Sequence, residues 1–179
     1  MLPLLYGEAR GEAQAGLTGV RPIQLLALLR RGLVAIIALA VIGADQYAKN
    51  WVTSNLAAGQ SFPQDAPIRF TYIVNTGAAF GLLPEYSLFL VLIAFAVIGI
   101  VLFYQRYLPG GSILIKSALG LQLGGAVGNL MDRLRYGYVI DFVDIRVWPV
   151  FNLADFSISL GVALLAFFLI FSKEKKEAT

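Results

Sequence analysis

YSLFLVLIAFAVIGIVLFYQ, residues 86–105, runs for 20 positions without a charged side chain. A helix of that length rises about 30 Å, the thickness of a bilayer's hydrocarbon core. The stretch predicts a membrane-spanning helix, and it makes lipid the solvent in which the rest of the chain is read. Three further apolar runs accompany it. Leu25 to Ala44 is charged only at Arg30 and Arg31, Ile113 to Met131 carries Lys116 near its start, and Phe156 to Ser172 stops at KEKKE. The composition agrees, with 58% hydrophobic and 14% charged residues, against about a quarter charged in a soluble domain. The expectation is an all-α polytopic membrane protein with four transmembrane helices.

Charge orients those helices. With both termini and the 105–112 loop on one side, that side holds nine cations and four acids, and the other holds five cations and seven acids. The positive-inside rule then makes both termini cytoplasmic and places segments 45–86 and 132–152 outside. Residues 1–22 mix Gly, Ala, Glu and Arg without periodicity and read as a flexible cytoplasmic tail. They lack the clean apolar core of a cleavable signal peptide. Residues 23–172 read as a single membrane domain, and 173–179 as a cytoplasmic C-terminal tail. Outside, RFTYIV (69–74) alternates and is rich in β-formers, and VIDFVDIRV (139–147) is a second strand candidate, so a small extracytoplasmic β-sheet is expected.

Cysteine and histidine are absent, which removes thiol nucleophiles, Ser-His-Asp and Cys-His catalysis and the usual zinc ligand sets. A net charge of +3, dispersed along the chain, gives no basis for a nucleic-acid partner. Hydrolytic chemistry would have to come from carboxylates, hydroxyls, lysine or a carboxylate-bound metal. Asp155 lies 18 residues before Lys173, so about 27 Å above the inner interface, and Asp45 lies about 21 Å above Arg31. Acids at such depth are costly and mark polar sites in a bundle interior. In FNLAD, Asn152 suits a helix N-cap and Asp155 the third helical position, where free N–H groups favour the ionised form. Asp141 sits between Ile140 and Phe142, where desolvation favours the neutral form. Two such carboxylates sharing a proton can act as base toward water and acid toward a carbonyl. By residue type alone Asp132 and Asp144 rival Asp141 for that role.

Gly120, Gly124 and Gly128 recur every four residues and form a strip for close helix packing. Gly125, Asn129 and Arg133 share an adjacent face, and Arg133 is either an interfacial anchor or an electrostatic partner of a carboxylate. Asp45 and Lys49 form an i, i+4 pair. In NTGAAFG (75–81) the glycines permit positive φ, and Asn75 can present an amide to a peptide. A proton-coupled carrier is the alternative, because buried acids also serve proton relays, but no internal repeat supports it. A Ser/Lys peptidase using Lys49 and Ser54 suffers from a spacing of five, poor for one helical face.

Taken together, DQYAK (45–49), NTGAAFG (75–81), GGAVGNLMDR (124–133), VIDF (139–142) and FNLAD (151–155) resemble the lipoprotein signal peptidases (signal peptidase II) of bacteria, in order, over about residues 33–172. The resemblance implies an aspartic endopeptidase of the inner membrane. It would act at the outer face and remove signal peptides from prolipoproteins carrying diacylglyceryl. By motif, it implies Asp141 and Asp155 as the catalytic pair and Asp45, Lys49, Asn75, Gly77, Asn129, Arg133 and Asn152 as substrate-binding or supporting residues. No metal or other cofactor is expected. The expected partners are lipid-modified prolipoproteins and membrane lipid, with the enzyme a monomer. DIRVWPV (144–150) is shorter and more apolar than expected of many relatives.

Overall fold

A computed structural model of the chain describes residues 22–77, 86–107 and 112–177. Most of the proposed N-terminal tail, residues 78–81 of NTGAAFG and the middle of the 105–112 loop lie outside the described residues. The chain divides into two units, Met1–Gly32 and Leu33–Thr179; the sheet and the acid cluster belong to the second. In chain order the elements are α1 Pro22–Asn55, β1 Ser61–Phe62, β2 Arg69–Asn75, α2 Tyr86–Arg106, α3 Ile113–Tyr136, β3 Val139–Asp144 and α4 Leu153–Glu177. Among the described residues four helical stretches are long and apolar enough to cross a membrane: Gly32–Asn55, Leu88–Gln105, Ile113–Tyr136 and Leu153–Phe171.

The first helix runs on past residue 45, where the outer segment is expected to begin. It continues through Asp45 and Lys49 to Asn55, because these two charges neutralise each other at 2.7 Å and turn inward. Polar residues that find partners inside the bundle do not end a helix. The third helix likewise passes residue 132 and stops at Tyr136, where Gly137 takes a φ of 80° and its N–H bonds the Arg133 carbonyl at 3.0 Å. A left-handed glycine is the common way to end a helix.

Glycine decides how closely the helices approach. A Cβ on Gly124 would lie 2.8 Å from the Ala38 carbonyl oxygen, and one on Gly120 would lie 3.0 Å from that of Val34. The strip on α3 therefore meets α1 backbone to backbone, as small residues allow in lipid, where apolar burial alone does not drive association. On the neighbouring face Gly125 fits against the Ala154 carbonyl, and a Cβ on Gly161 of α4 would lie 2.7 Å from the Ala118 carbonyl oxygen. Val34, Val101 and Leu119 form a buried cluster with Leu165 packed against it.

Both strand candidates are strands, the second shorter than the 139–147 expected. The three-stranded sheet is antiparallel in the order β1-β2-β3. Arg69 pairs with Asp144 and Ile73 with Asp141, with a register irregularity between Phe70 and Ile73. The short strand β1 carries no alternating pattern and was not expected from sequence. Beyond β3 the chain returns on itself. The Phe151 carbonyl accepts the N–H groups of Phe142 at 3.0 Å and Val143 at 2.7 Å, and the Phe151 N–H bonds the Val143 carbonyl at 3.1 Å. This closure brings Asn152 and the start of α4 beside Asp141.

Candidate active site

Asp141 projects from β3 and is 1% exposed. Its Oδ1 accepts the Asn152 side-chain amide at 2.6 Å and its Oδ2 the Asn75 amide at 2.8 Å. Asn75 is aimed by its own turn: Gly77, at φ +80°, donates its N–H to Asn75 Oδ1 at 2.9 Å. That turn needs a residue at ease with positive φ. It also fixes which end of the amide faces the carboxylate.

Asp155 occupies the third position of α4. Its N–H bonds the Asn152 Oδ1 at 2.8 Å, so Asn152 is the N-cap anticipated from FNLAD. The Asp155 carboxylate accepts the Asn129 amide at 2.7 Å. Asn129 Oδ1 in turn accepts from Asn152 at 3.1 Å and from the Lys49 ammonium at 3.1 Å. Asn152 thus donates to Asp141 and Asn129 while capping the helix of Asp155. Two amides join the two acids into one hydrogen-bonded unit.

Burial pushes the Asp141 carboxyl up to about 6; the amide hydrogens of Asn75 and Asn152 oppose the rise, and the charge of Asp155 adds to it. The two acids therefore sense each other. Beside Asp141 opens a cavity of about 340 Å³, lined by Ile73, Val74, Asn75 and Thr76 of the β2 end and by Pro149 and Val150 of the β3–α4 loop.

Beneath this pair lies a second layer. Lys49 contacts Asp45 at 2.7 Å and Asp132 at 2.8 Å, all three being nearly inaccessible. Asp45 Oδ1 accepts the Ala154 N–H at 3.0 Å, a free donor of the first turn of α4. Asp132 Oδ2 accepts the N–H of Ile140, the residue before Asp141, at 3.1 Å. Asp132 thus holds the strand in place. Arg133 makes no direct ion pair among the described residues. Among the carboxylates, Asp155 acts on it most strongly through space, then Asp132 and Asp141. Asp144 is spoken for elsewhere. The Arg146 backbone N–H at 2.8 Å and the Arg69 guanidinium at 2.6 Å hold its carboxyl below the usual range.

One supporting residue escaped the sequence reading. Gln46 Nε2 bonds Asp132 at 2.8 Å, and its Oε1 accepts from Arg135 at 3.2 Å. Its adjacency to Asp45 was the available signal, but its partners lie more than 80 positions away in sequence.

Four membrane helices, two aspartates linked through the Asn129 and Asn152 amides with Asp141 at the edge of a cavity, and a chain without histidine or cysteine define the class: an aspartic peptidase of the membrane. Comparison with known proteins narrows it. Residues 37–171 match the family described as Signal peptidase (SPase) II. A lipoprotein signal peptidase of Moorella thermoacetica is 45% identical over 136 residues, spanning 75% of this chain and 91% of its own. That of Bacillus subtilis is 44% identical over 147 residues, spanning 79% and 95%. A solved structure described as a bacterial membrane enzyme, determined by the in meso method at 2.3 Å, superposes with a TM-score of 0.74 at 29% identity, covering 81% of this chain and 92% of that one. The chain belongs to the signal peptidase II family, and with its four apolar helices it is a protein of the bacterial inner membrane.

Proposed function

We propose that residues 23–172 form one peptidase domain that removes signal peptides from diacylglyceryl-modified prolipoproteins at the outer membrane face, with both termini and their tails cytoplasmic. Asp141 and Asp155 carry the reaction. The observation that carries this reading is their joint suspension from Asn152 and Asn129, which gives the buried Asp141 and the half-buried Asp155 one shared environment. The carrier alternative has no support from the family.

The acids divide the labour. Asp141, the more desolvated, holds the shared proton, and Asp155, in the first turn of α4, serves as the base toward water. With substrate in the cavity, Asp155 removes a proton from water as its oxygen attacks the scissile carbonyl carbon. Asp141 gives its proton to the carbonyl oxygen. Collapse of the tetrahedral intermediate breaks the C–N bond: the proton held by Asp155 passes to the departing nitrogen, and a hydroxyl of the intermediate returns a proton to Asp141 as the carboxylic acid forms, which restores the resting pair. Asn75, with Gly77 shaping its turn, orients Asp141. Asn129 and Asn152 hold the pair, Lys49 and Asp45 brace Asn129 and the α4 N-terminus, and Arg133 adds positive potential near Asp155.

Cleavage of a lipid-modified prolipoprotein by purified wild type, Asp141→Asn and Asp155→Asn tests the assignment. Both variants should lose activity by about 10³-fold or more, while Asp144→Asn retains it. Substantial cleavage by either dyad variant would overturn the mechanism. Vibrational spectra separate the two roles: a protonated-carboxyl band lost with Asp155 but kept without Asp141 would reverse them.

A further inference from the structure

The loop between β3 and α4 exposes side chains that water does not favour. Val147 is 87% and Trp148 66% exposed, and across from them, in the β1–β2 connection and its flank, Ile68 is 67% and Phe62 57% exposed. The two loops are tied together. The Gln64 carbonyl accepts Arg146 Nη2 at 2.6 Å and Arg69 Nη1 at 3.2 Å. Asp144 accepts the Arg146 backbone N–H and Arg69 Nε. Arg146 sits at a φ of 64°, a conformation uncommon for residues with a side chain, and two of these bonds hold it there. The exposed residues are therefore presented by a fixed scaffold.

Position identifies what covers them. Phe151 is pinned to β3 by its backbone bonds, and Trp148 is three residues before it, within about 10 Å along the chain. Two residues after Phe151, Leu153 begins the membrane-crossing stretch. The headgroup layer is about 5–8 Å thick on each side, so the loop lies within its reach. Tryptophan favours that layer. Arg146, paired with a carbonyl and not with a carboxylate, supplies a cation for anionic headgroups.

We propose that Phe62, Ile68, Arg146, Val147 and Trp148 form an anchoring ledge that inserts into an anionic phospholipid surface at the end of α4. The ledge is continuous with Pro149 and Val150, one wall of the Asp141 cavity. Seating it in lipid holds that wall at the depth where a lipid-anchored peptide presents its cleavage site. The consequence for substrate capture rests on the peptidase reading above; the seating in lipid does not.

The chain has two tryptophans, Trp51 and Trp148, so Trp51→Phe leaves one reporter. In vesicles of phosphatidylcholine and phosphatidylglycerol, its fluorescence should be quenched strongly by lipids brominated near the ester, less by those brominated near the chain end, and little by aqueous iodide. Quenching by iodide without quenching by bromolipid overturns the proposal. Shielding from both also overturns it, since protein then covers the ledge. In cleavage assays with a diacylated peptide in the same vesicles, Val147→Ser/Trp148→Ser should raise KM roughly five- to tenfold with kcat unchanged, and Trp148→Tyr should stay near wild type. An unchanged KM in the double variant removes the capture role, while an inactive wild type would count against the peptidase reading and leave the quenching result standing.

Discussion

Asp141 illustrates how much of a site can be legible in one residue. An acid between Ile140 and Phe142 already signals desolvation, and burial does raise its carboxyl from 3.8 to about 6. Because the folded value lies above the unfolded one, its favourable contribution is complete below about pH 4 and is lost as pH rises through about 6. Asp141→Asn turns an NH2 toward one of the two amide donors at a fixed cost, but it should gain stability relative to wild type between pH 4 and pH 7, by at most ~3 kcal/mol. Thermal unfolding at pH 4 and pH 7 checks this: the advantage of the variant must grow with pH. On the proposed mechanism the same ionisation would govern catalysis, so kcat/KM should fall on the alkaline side with an apparent pKa near 6 that belongs to the pair. A profile flat to pH 9 would exclude a proton held on Asp141. Asn152→Asp gives a complementary test. It keeps an oxygen for the Asp155 N–H but replaces the donor facing Asp141 with a third carboxylate. Activity should drop by about 10²-fold or more, and stability should fall by about 3 kcal/mol or more at neutral pH, where a third buried carboxylate is charged, and by less at acid pH; full activity would make Asn152 only a cap. Residue type could not choose among Asp132, Asp141 and Asp144, because the choice depends on partners. Asp132 is engaged by Lys49 and the Ile140 N–H, and Asp144 by Arg69, Thr71 and the Arg146 N–H.

At the scale of elements, the glycine strip on α3 sets helix separation, and the substitutions it forbids differ from position to position. Gly124→Ala would drive a methyl into the Ala38 carbonyl, costing about 1–3 kcal/mol. Gly128→Leu should cost more, because even a Cβ there meets the Asp45 carboxylate at 3.0 Å. Gly99, with nothing within 4 Å of an added Cβ, is the control, and its Ala variant should match or exceed wild type. Thermal unfolding in detergent reads all three, and wild-type stability in Gly124→Ala would show that the helices are free to separate. The four helices and two of the three strands were legible because apolar length and β-alternation are local patterns. The end of α1 was not. Asp45 and Lys49 read as an exit from the membrane until Asp132, Asn129 and the Ala154 N–H supply their partners. Strand β1 has two residues and offers no periodicity to read.

For the whole molecule, the absence of cysteine makes topology directly measurable. Single cysteines introduced at residues 8 and 178 should react with impermeant thiol reagents only after the inner face is opened, and one at residue 65 should react from outside. Labelling of residue 178 from outside in intact cells would reverse the orientation. Activity should also persist in excess chelator, since the proposed chemistry uses two acids and water. Loss restored by a divalent ion would replace the dyad with a metal mechanism.

The acid cluster draws on the whole length of the domain: Lys49 from α1, Asn75 from β2, Asn129 from α3, Asp141 from β3, and Asn152 and Asp155 from α4. Translation supplies these in order, and the second aspartate comes last. On the proposed dyad, a nascent chain ending before α4 holds Asp141 without the Asn152 amide and without Asp155, so proteolytic competence would arrive only with the final span.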